Sequence, residues 1–91
     1  MALGNHEFDL GPEGLARYLD AVEFPVLAAN VEAAAEPLLA GRLRPTMGFR
    51  SGAARLVVVG LVTPDTPTLS SPGPHLRFTD PAEAAARAVW E

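Results

Sequence analysis

Between Gly4 and Gly11 the chain reads Gly4-Asn5-His6-Glu7-Phe8-Asp9-Leu10-Gly11, placing an amide oxygen, an imidazole and two carboxylates within five residues. Each residue type suits a task. Asn5 offers a neutral oxygen to a divalent cation without adding charge, and His6 can donate a proton or hydrogen bond to an oxygen that turns negative in a transition state. Asp9, three residues after His6, is spaced to hold the second ring nitrogen and so fix the tautomer and orientation of the ring. Glycines on both sides let the backbone bend sharply beside a ligand. The plainer alternative is a capped loop in which Asn5 and Asp9 satisfy backbone donors and His6 is an ordinary polar residue.

Other polar residues carry weaker signals. Asn30 ends the apolar run Pro25-Val26-Leu27-Ala28-Ala29, and ligands collect at the carboxyl ends of strands in open α/β sheets. It is therefore a candidate substrate-binding residue, with simple strand termination as the alternative. Thr63, Asp65 and Thr66 follow the most apolar strand, but Pro64 and Pro67 explain them as a turn. Glu32 and Glu36 read as a solvated face, and Arg42 and Arg44 as neutralising nearby acids. His75, between Pro74 and Leu76, reads as an exposed loop residue, and Trp90 as packing.

The elements that must position these groups can be read from the patterning. Leu15, Tyr18, Leu19 and Val22 recur at helical spacing over residues 14–22. The run from Pro25 to Val31 predicts a buried strand. Thr46 to Arg50, the Ser51-Gly52 turn and Ala54 to Val62 predict a β-hairpin, with Leu56-Val57-Val58-Val59 its most buried part. After the Pro/Ser/Gly-rich loop from Pro64 to Pro74 comes a short strand, Leu76-Arg77-Phe78. Asp80 then suits an N-cap and Pro81 the first position of a terminal helix, whose apolar side reads as Ala82, Ala85, Ala86, Val89 and Trp90. Helices alternating with apolar strands predict an α/β fold: a partial layer of short, mostly parallel strands with flanking helices and one hairpin. Three or four strands are fewer than the five or six that such sheets usually hold, so the chain reads as part of a larger folding unit.

Composition narrows the function classes. A hydrophobic content of 48% excludes a disordered tail. A net charge of −4 and a pI near 5.0 argue against a partner that is a nucleic acid polymer, whose phosphates call for clustered Lys and Arg. The chain has no cysteine, hence no disulfide, thiolate nucleophile or Cys-type zinc site. The apolar stretch from Leu56 to Val62 is far short of the roughly 20 residues that span a bilayer, and residues 1–8 read as lacking a signal peptide.

The run GNHEFD resembles the Gly-Asn-His-Glu/Asp signature of the calcineurin-like metallophosphoesterases. With Phe8 and Asp9 it is similar to the 5′-nucleotidase branch. The segments FPVLAANV, Phe24 to Val31, and VGLVTPDTPTLSSPG, Val59 to Gly73, agree with that branch. The resemblance implies a fragment of a metallophosphoesterase sandwich and a two-metal phosphohydrolase acting on a nucleotide or related phosphate ester. It implies Asn5 as a metal ligand, and His6 with Asp9 as the catalytic pair that stabilises phosphoryl oxygens or the leaving group. The expected cofactors are two divalent metal ions of the Mn, Zn, Mg or Ca kind.

The family's Asp-x-His, Gly-Asp and Gly-His-x-His motifs do not occur in these 91 residues. The chain therefore reads as residues 1–91 of a partial catalytic domain, inactive alone, with the missing remainder of that domain as partner and the C-terminal substrate domain absent. The resemblance implies an extracytoplasmic place for the intact protein. The rival from another class is a non-catalytic α/β interaction module that has lost the metal site.

Overall fold

The computed structural model describes residues 1–90, with Trp90 described by its backbone alone. The packing role expected of the Trp90 side chain therefore lies outside the described residues. The chain opens with a 3-10 turn, Asn5–Phe8, that leads into helix α1, Gly11–Ala21. The helix starts ahead of its apolar pattern because Pro12 occupies the first turn, where a missing N–H costs nothing. It buries Leu15 and Ala16, with Leu19 and Val22 partly covered. It ends at Val22, whose backbone is extended and whose N–H donates to the Tyr18 carbonyl at 3.2 Å.

The following segment is buried as expected at Val26, Leu27 and Ala28, but it does not form a long strand. Leu27 makes single parallel bridges to Ala2 on one side and Arg44 on the other. The bonds are Leu3 N–H to Leu27 O at 2.9 Å, Leu27 N–H to Met1 O at 2.7 Å and Ala28 N–H to Arg44 O at 2.8 Å. Pro25 and Pro45, lacking N–H groups, interrupt the ladder on either side. Gly60 passes so close to Leu27 that a Cβ there would lie 2.3 Å from the Leu27 carbonyl oxygen. Only glycine fits that crossing.

Among the described residues parallel pairing thus survives only as these bridges, which corrects the expectation of a mostly parallel layer. Both sheets are antiparallel pairs. Strand β1, Val31–Glu32, pairs with β4, Arg77–Phe78, in the register Val31 to Phe78. Strands β2, Thr46–Ser51, and β3, Ala54–Val59, form the hairpin in the register Thr46 to Val59. For the hairpin the reason is local: a two-residue connection at Gly52-Ala53 can join only antiparallel neighbours.

The hairpin also corrects the expected core. Leu56 and Val57 are 54% and 57% exposed, and Phe49 and Val58 are exposed as well, because the two strands pair with each other and no layer of the described residues covers them. The core lies instead where Leu3, Phe8, Leu15, Val26, Ala28, Leu39, Val62 and Leu76 converge. Within the loop after β3 a short helix, α2, spans Thr66–Leu69. Thr63, Asp65 and Thr66 build its entry: Thr66 Oγ1 donates to Thr63 O at 2.6 Å and Asp65 N–H to Thr63 Oγ1 at 3.3 Å.

Helix α3 spans Pro81–Trp90. Asp80 caps it as expected, its Oδ1 accepting the Ala82 N–H at 2.8 Å and the Glu83 N–H at 3.4 Å. The buried face is rotated from the one expected: Ala84 is buried, Ala85 and Ala88 are half-buried, and Ala82, Ala86 and Val89 are exposed. A helix made mostly of alanine has too little contrast between its sides to fix the phase. Glu36, expected on a solvated face, is buried, and its Oε1 accepts the Leu38 N–H at 3.3 Å. Arg42 does neutralise an acid, Asp20, at 2.6 Å.

Candidate active site

The backbone of the first loop is tied before any side chain is presented. The Gly4 N–H donates to Glu7 Oε1 at 3.2 Å, the Glu7 N–H to Gly4 O at 3.3 Å and the Asp9 N–H to His6 O at 3.1 Å. Phe8 is wholly buried beneath the loop and meets Phe78 of β4 edge to face, with ring centroids 5.4 Å apart and planes at 80°. The apolar residue of GNHEFD is the anchor, and its neighbours are turned outward.

His6 Nδ1 lies 3.0 Å from Asp9 Oδ2. A carboxylate is an acceptor, so the ring carries its proton on Nδ1 and donates it to Asp9. The side chains are 78% and 49% exposed, and among the described residues Nε2 has no partner. The other oxygen of Asp9 is also bound, by the Ser70 hydroxyl at 2.5 Å across 61 residues of chain. Those two bonds, that from Ser70 first and that from His6 second, hold the Asp9 carboxyl below the usual aspartate range. Asp9 is not a helix cap: α1 is capped by Leu10, with no side-chain bond to its first turn.

Asn5 is half-buried on the same turn, next to His6. Asn30, in contrast, is 0% exposed. Its Nδ2 donates to Val62 O at 2.6 Å and Thr79 O at 3.0 Å, and its Oδ1 accepts the Val62 N–H at 2.8 Å. Asn30, the candidate substrate contact, is placed as a structural tie: every polar atom of its amide bonds backbone. His75 is exposed, as expected of a loop residue. Ser70 is the functional candidate that sequence reasoning missed. Its only signal was membership of the loop at the end of β3.

The residues present do not by themselves fit a metal centre. Among the described residues no group of three or more His, Cys, Asp or Glu side chains is placed to hold an ion, and Asn5 is a single oxygen donor. A hollow of about 600 Å³ lies between the hairpin and α3, lined by Val57, Val59 and Ala88 among others. Arg55 and Thr46 also line it, and none of its lining residues belongs to the His6 loop.

The site is thus an exposed imidazole hydrogen-bonded to a doubly bound carboxylate, set on an α/β scaffold. Over 98% of its length the chain is 48% identical to the 5′-nucleotidase of Diplobatis ommata, of which it covers 16%. It is 41% identical to the snake venom 5′-nucleotidase of Naja atra over 91% of the chain and 16% of that protein. Among solved structures, the 5′-nucleotidase precursor from Thermus thermophilus superposes with a TM-score of 0.92 at 50% identity, over 99% of this chain and 18% of that one. No family model matches the sequence. The chain belongs to the 5′-nucleotidase family and spans about one sixth of the length of these curated relatives.

Proposed function

We propose that this chain supplies the general-acid segment of a phosphoester hydrolase acting on nucleotides. The observation that carries the proposal is the His6–Asp9 hydrogen bond, which leaves Nε2 open to solvent. With Nδ1 committed to Asp9, Nε2 is the atom that faces a substrate. In its protonated form it donates to a phosphoryl or leaving-group oxygen as charge builds there. Similarity to 5′-nucleotidases supports a nucleotide phosphate ester as the substrate class.

In this reading residues 1–91 are part of a catalytic domain, and the ligands of a divalent metal centre other than Asn5 reside elsewhere in a longer polypeptide, as does the substrate-selecting domain. The exposed apolar faces of β2 and β3 fit such a remainder as partner. The chain alone is then inactive. No described helix is long and apolar enough to cross a membrane. The likeness to a venom 5′-nucleotidase supports an extracytoplasmic place for the intact protein.

The test is His6→Ala in the intact polypeptide that carries this segment, with a nucleoside 5′-monophosphate as substrate. Turnover falls by about two to four orders of magnitude, the usual weight of a general acid, while metal content is unchanged. Full turnover after His6→Ala overturns the proposal. Asn5→Ala, by contrast, lowers Mn²⁺ occupancy. A second reading, a non-catalytic α/β interaction module, draws on the lack of a metal-holding cluster among the described residues. It requires that the intact polypeptide bind no Mn²⁺ or Zn²⁺.

A further inference from the structure

We propose that Ser70 is a positioning residue for the His6–Asp9 pair, holding the Asp9 carboxylate in the one orientation that keeps the imidazole aimed outward. The inference rests on the hydrolase reading above. A carboxylate turns easily about its last torsion, which has a broad profile. Asp9 is half exposed and lies two residues before α1, whose first turn has no side-chain cap and therefore offers unsatisfied N–H groups that attract a negative charge. Left with His6 alone, Asp9 has two competing destinations: water and the helix start.

The Ser70 hydroxyl removes that freedom. Its single proton goes to Asp9 Oδ1 at 2.5 Å, while Oδ2 accepts from His6 at 3.0 Å, so both oxygens are fixed and the carboxylate plane is set. Ser70 is itself held by backbone. Its N–H closes α2 by donating to Thr66 O at 2.9 Å, and it stands between buried Thr66 and buried Pro72. Just beyond, Gly73 has φ +83° and lies so close to Pro12 that a Cβ there would be 2.9 Å from the proline Cγ. The segment after α2 is thereby pressed against the start of α1, and Ser70 reaches Asp9 from a fixed platform. The hydroxyl contacts no reacting atom; it acts through Asp9.

Because the backbone N–H of residue 70 makes the α2 bond, Ser70→Ala keeps the fold and removes only the hydroxyl. In the intact polypeptide, with a nucleoside 5′-monophosphate as the probe and phosphate release as the readout, Ser70→Ala lowers kcat about tenfold, the scale of a small misplacement of a catalytic group. KM stays within about twofold, and Ser70→Thr, which keeps a hydroxyl, restores most of kcat. In an Asp9→Ala background Ser70→Ala causes no further loss, as expected of a residue acting through Asp9. An unchanged kcat in Ser70→Ala, an equal loss in the Asp9→Ala background, or an effect confined to KM overturns the proposal. If His6→Ala lowers kcat and Ser70→Ala does not, the role of Ser70 alone fails. If His6→Ala has no effect, the hydrolase reading fails and this proposal falls with it.

Discussion

Replacing Asn30 by alanine separates a structural tie from a substrate contact, and its cost can be worked from the geometry. Three hydrogen bonds disappear: Asn30 Nδ2 to Val62 O at 2.6 Å, Nδ2 to Thr79 O at 3.0 Å, and Val62 N–H to Asn30 Oδ1 at 2.8 Å. Each such bond contributes about 1 kcal/mol net, and a buried N–H left unpaired costs about 1–3 kcal/mol. Val62 is 2% exposed, so its N–H is the group left stranded. Counting the two Nδ2 bonds at about 1 kcal/mol each and the Val62 N–H at its unpaired cost alone, the sum is about 3–5 kcal/mol, against a total stability of about 0.05–0.15 kcal/mol per residue for a typical domain. Urea unfolding of the polypeptide carrying Asn30→Ala is expected to show that loss. Exchange of the Val62 amide is expected to quicken by two orders of magnitude or more, since about 1.4 kcal/mol is a factor of ten. Asn30→Asp is no rescue, because it turns a carboxylate oxygen toward two carbonyl oxygens. A loss below about 1 kcal/mol together with a raised KM would refute the reasoning and return Asn30 to the substrate.

The Asp9 carboxyl, whose ordinary value is 3.8, titrates below that value in the folded chain, with the Ser70 bond as the first cause and His6 as the second. A depressed carboxyl contributes its interactions above the unfolded value and loses them as pH falls through the folded one. The Asp9 carboxylate therefore keeps both bonds at neutral pH and gives them up as pH falls through its lowered value, which a carbon-13 titration of the Asp9 carboxyl checks; in Ser70→Ala its midpoint moves back up toward 3.8. Phe8→Ala, which empties a fully buried site against Phe78, costs about 3–5 kcal/mol. It also lowers kcat by releasing the loop, and thermal unfolding with parallel kinetics tests both effects.

How much was legible in the sequence depended on how local each determinant was. The α1 and α3 helices were, because the apolar period of Leu15, Leu19 and Val22 and the pair Asp80 and Pro81 act within a turn or two of themselves. The hairpin was legible too, but not the exposure of Leu56 and Val57: apolar strands look alike in sequence whether or not a second layer covers them. Strand direction was misread, since alternating helices and apolar runs indicate an α/β layer without saying which runs pair. Here the prolines at 25 and 45 cut the parallel ladder down to bridges at Leu27. The contact between His6 and Asp9 was legible because three residues of spacing can close a hydrogen bond unaided. Ser70 was not, because 61 residues and the approach of Gly73 to Pro12 bring it to Asp9.

The same contrast explains why the loop has the composition it has. An exposed imidazole gains little from burial, so its orientation must come from covalent neighbours that are buried. In GNHEFD the polar residues alternate with their own supports: Glu7 ties the turn through the Gly4 N–H, and Phe8 sinks into the core cluster and packs edge to face on Phe78. Asn30, although it touches no part of the loop chemistry, joins the ends of the strands beneath by binding Val62 and Thr79, the latter adjacent to Phe78. A perturbation at Asn30 is therefore expected to reach His6 through Thr79, Phe78 and Phe8. Turnover and Val62 exchange should change together in any variant that loosens this path. They should separate in His6→Ala, where the ring is lost and the support beneath it remains.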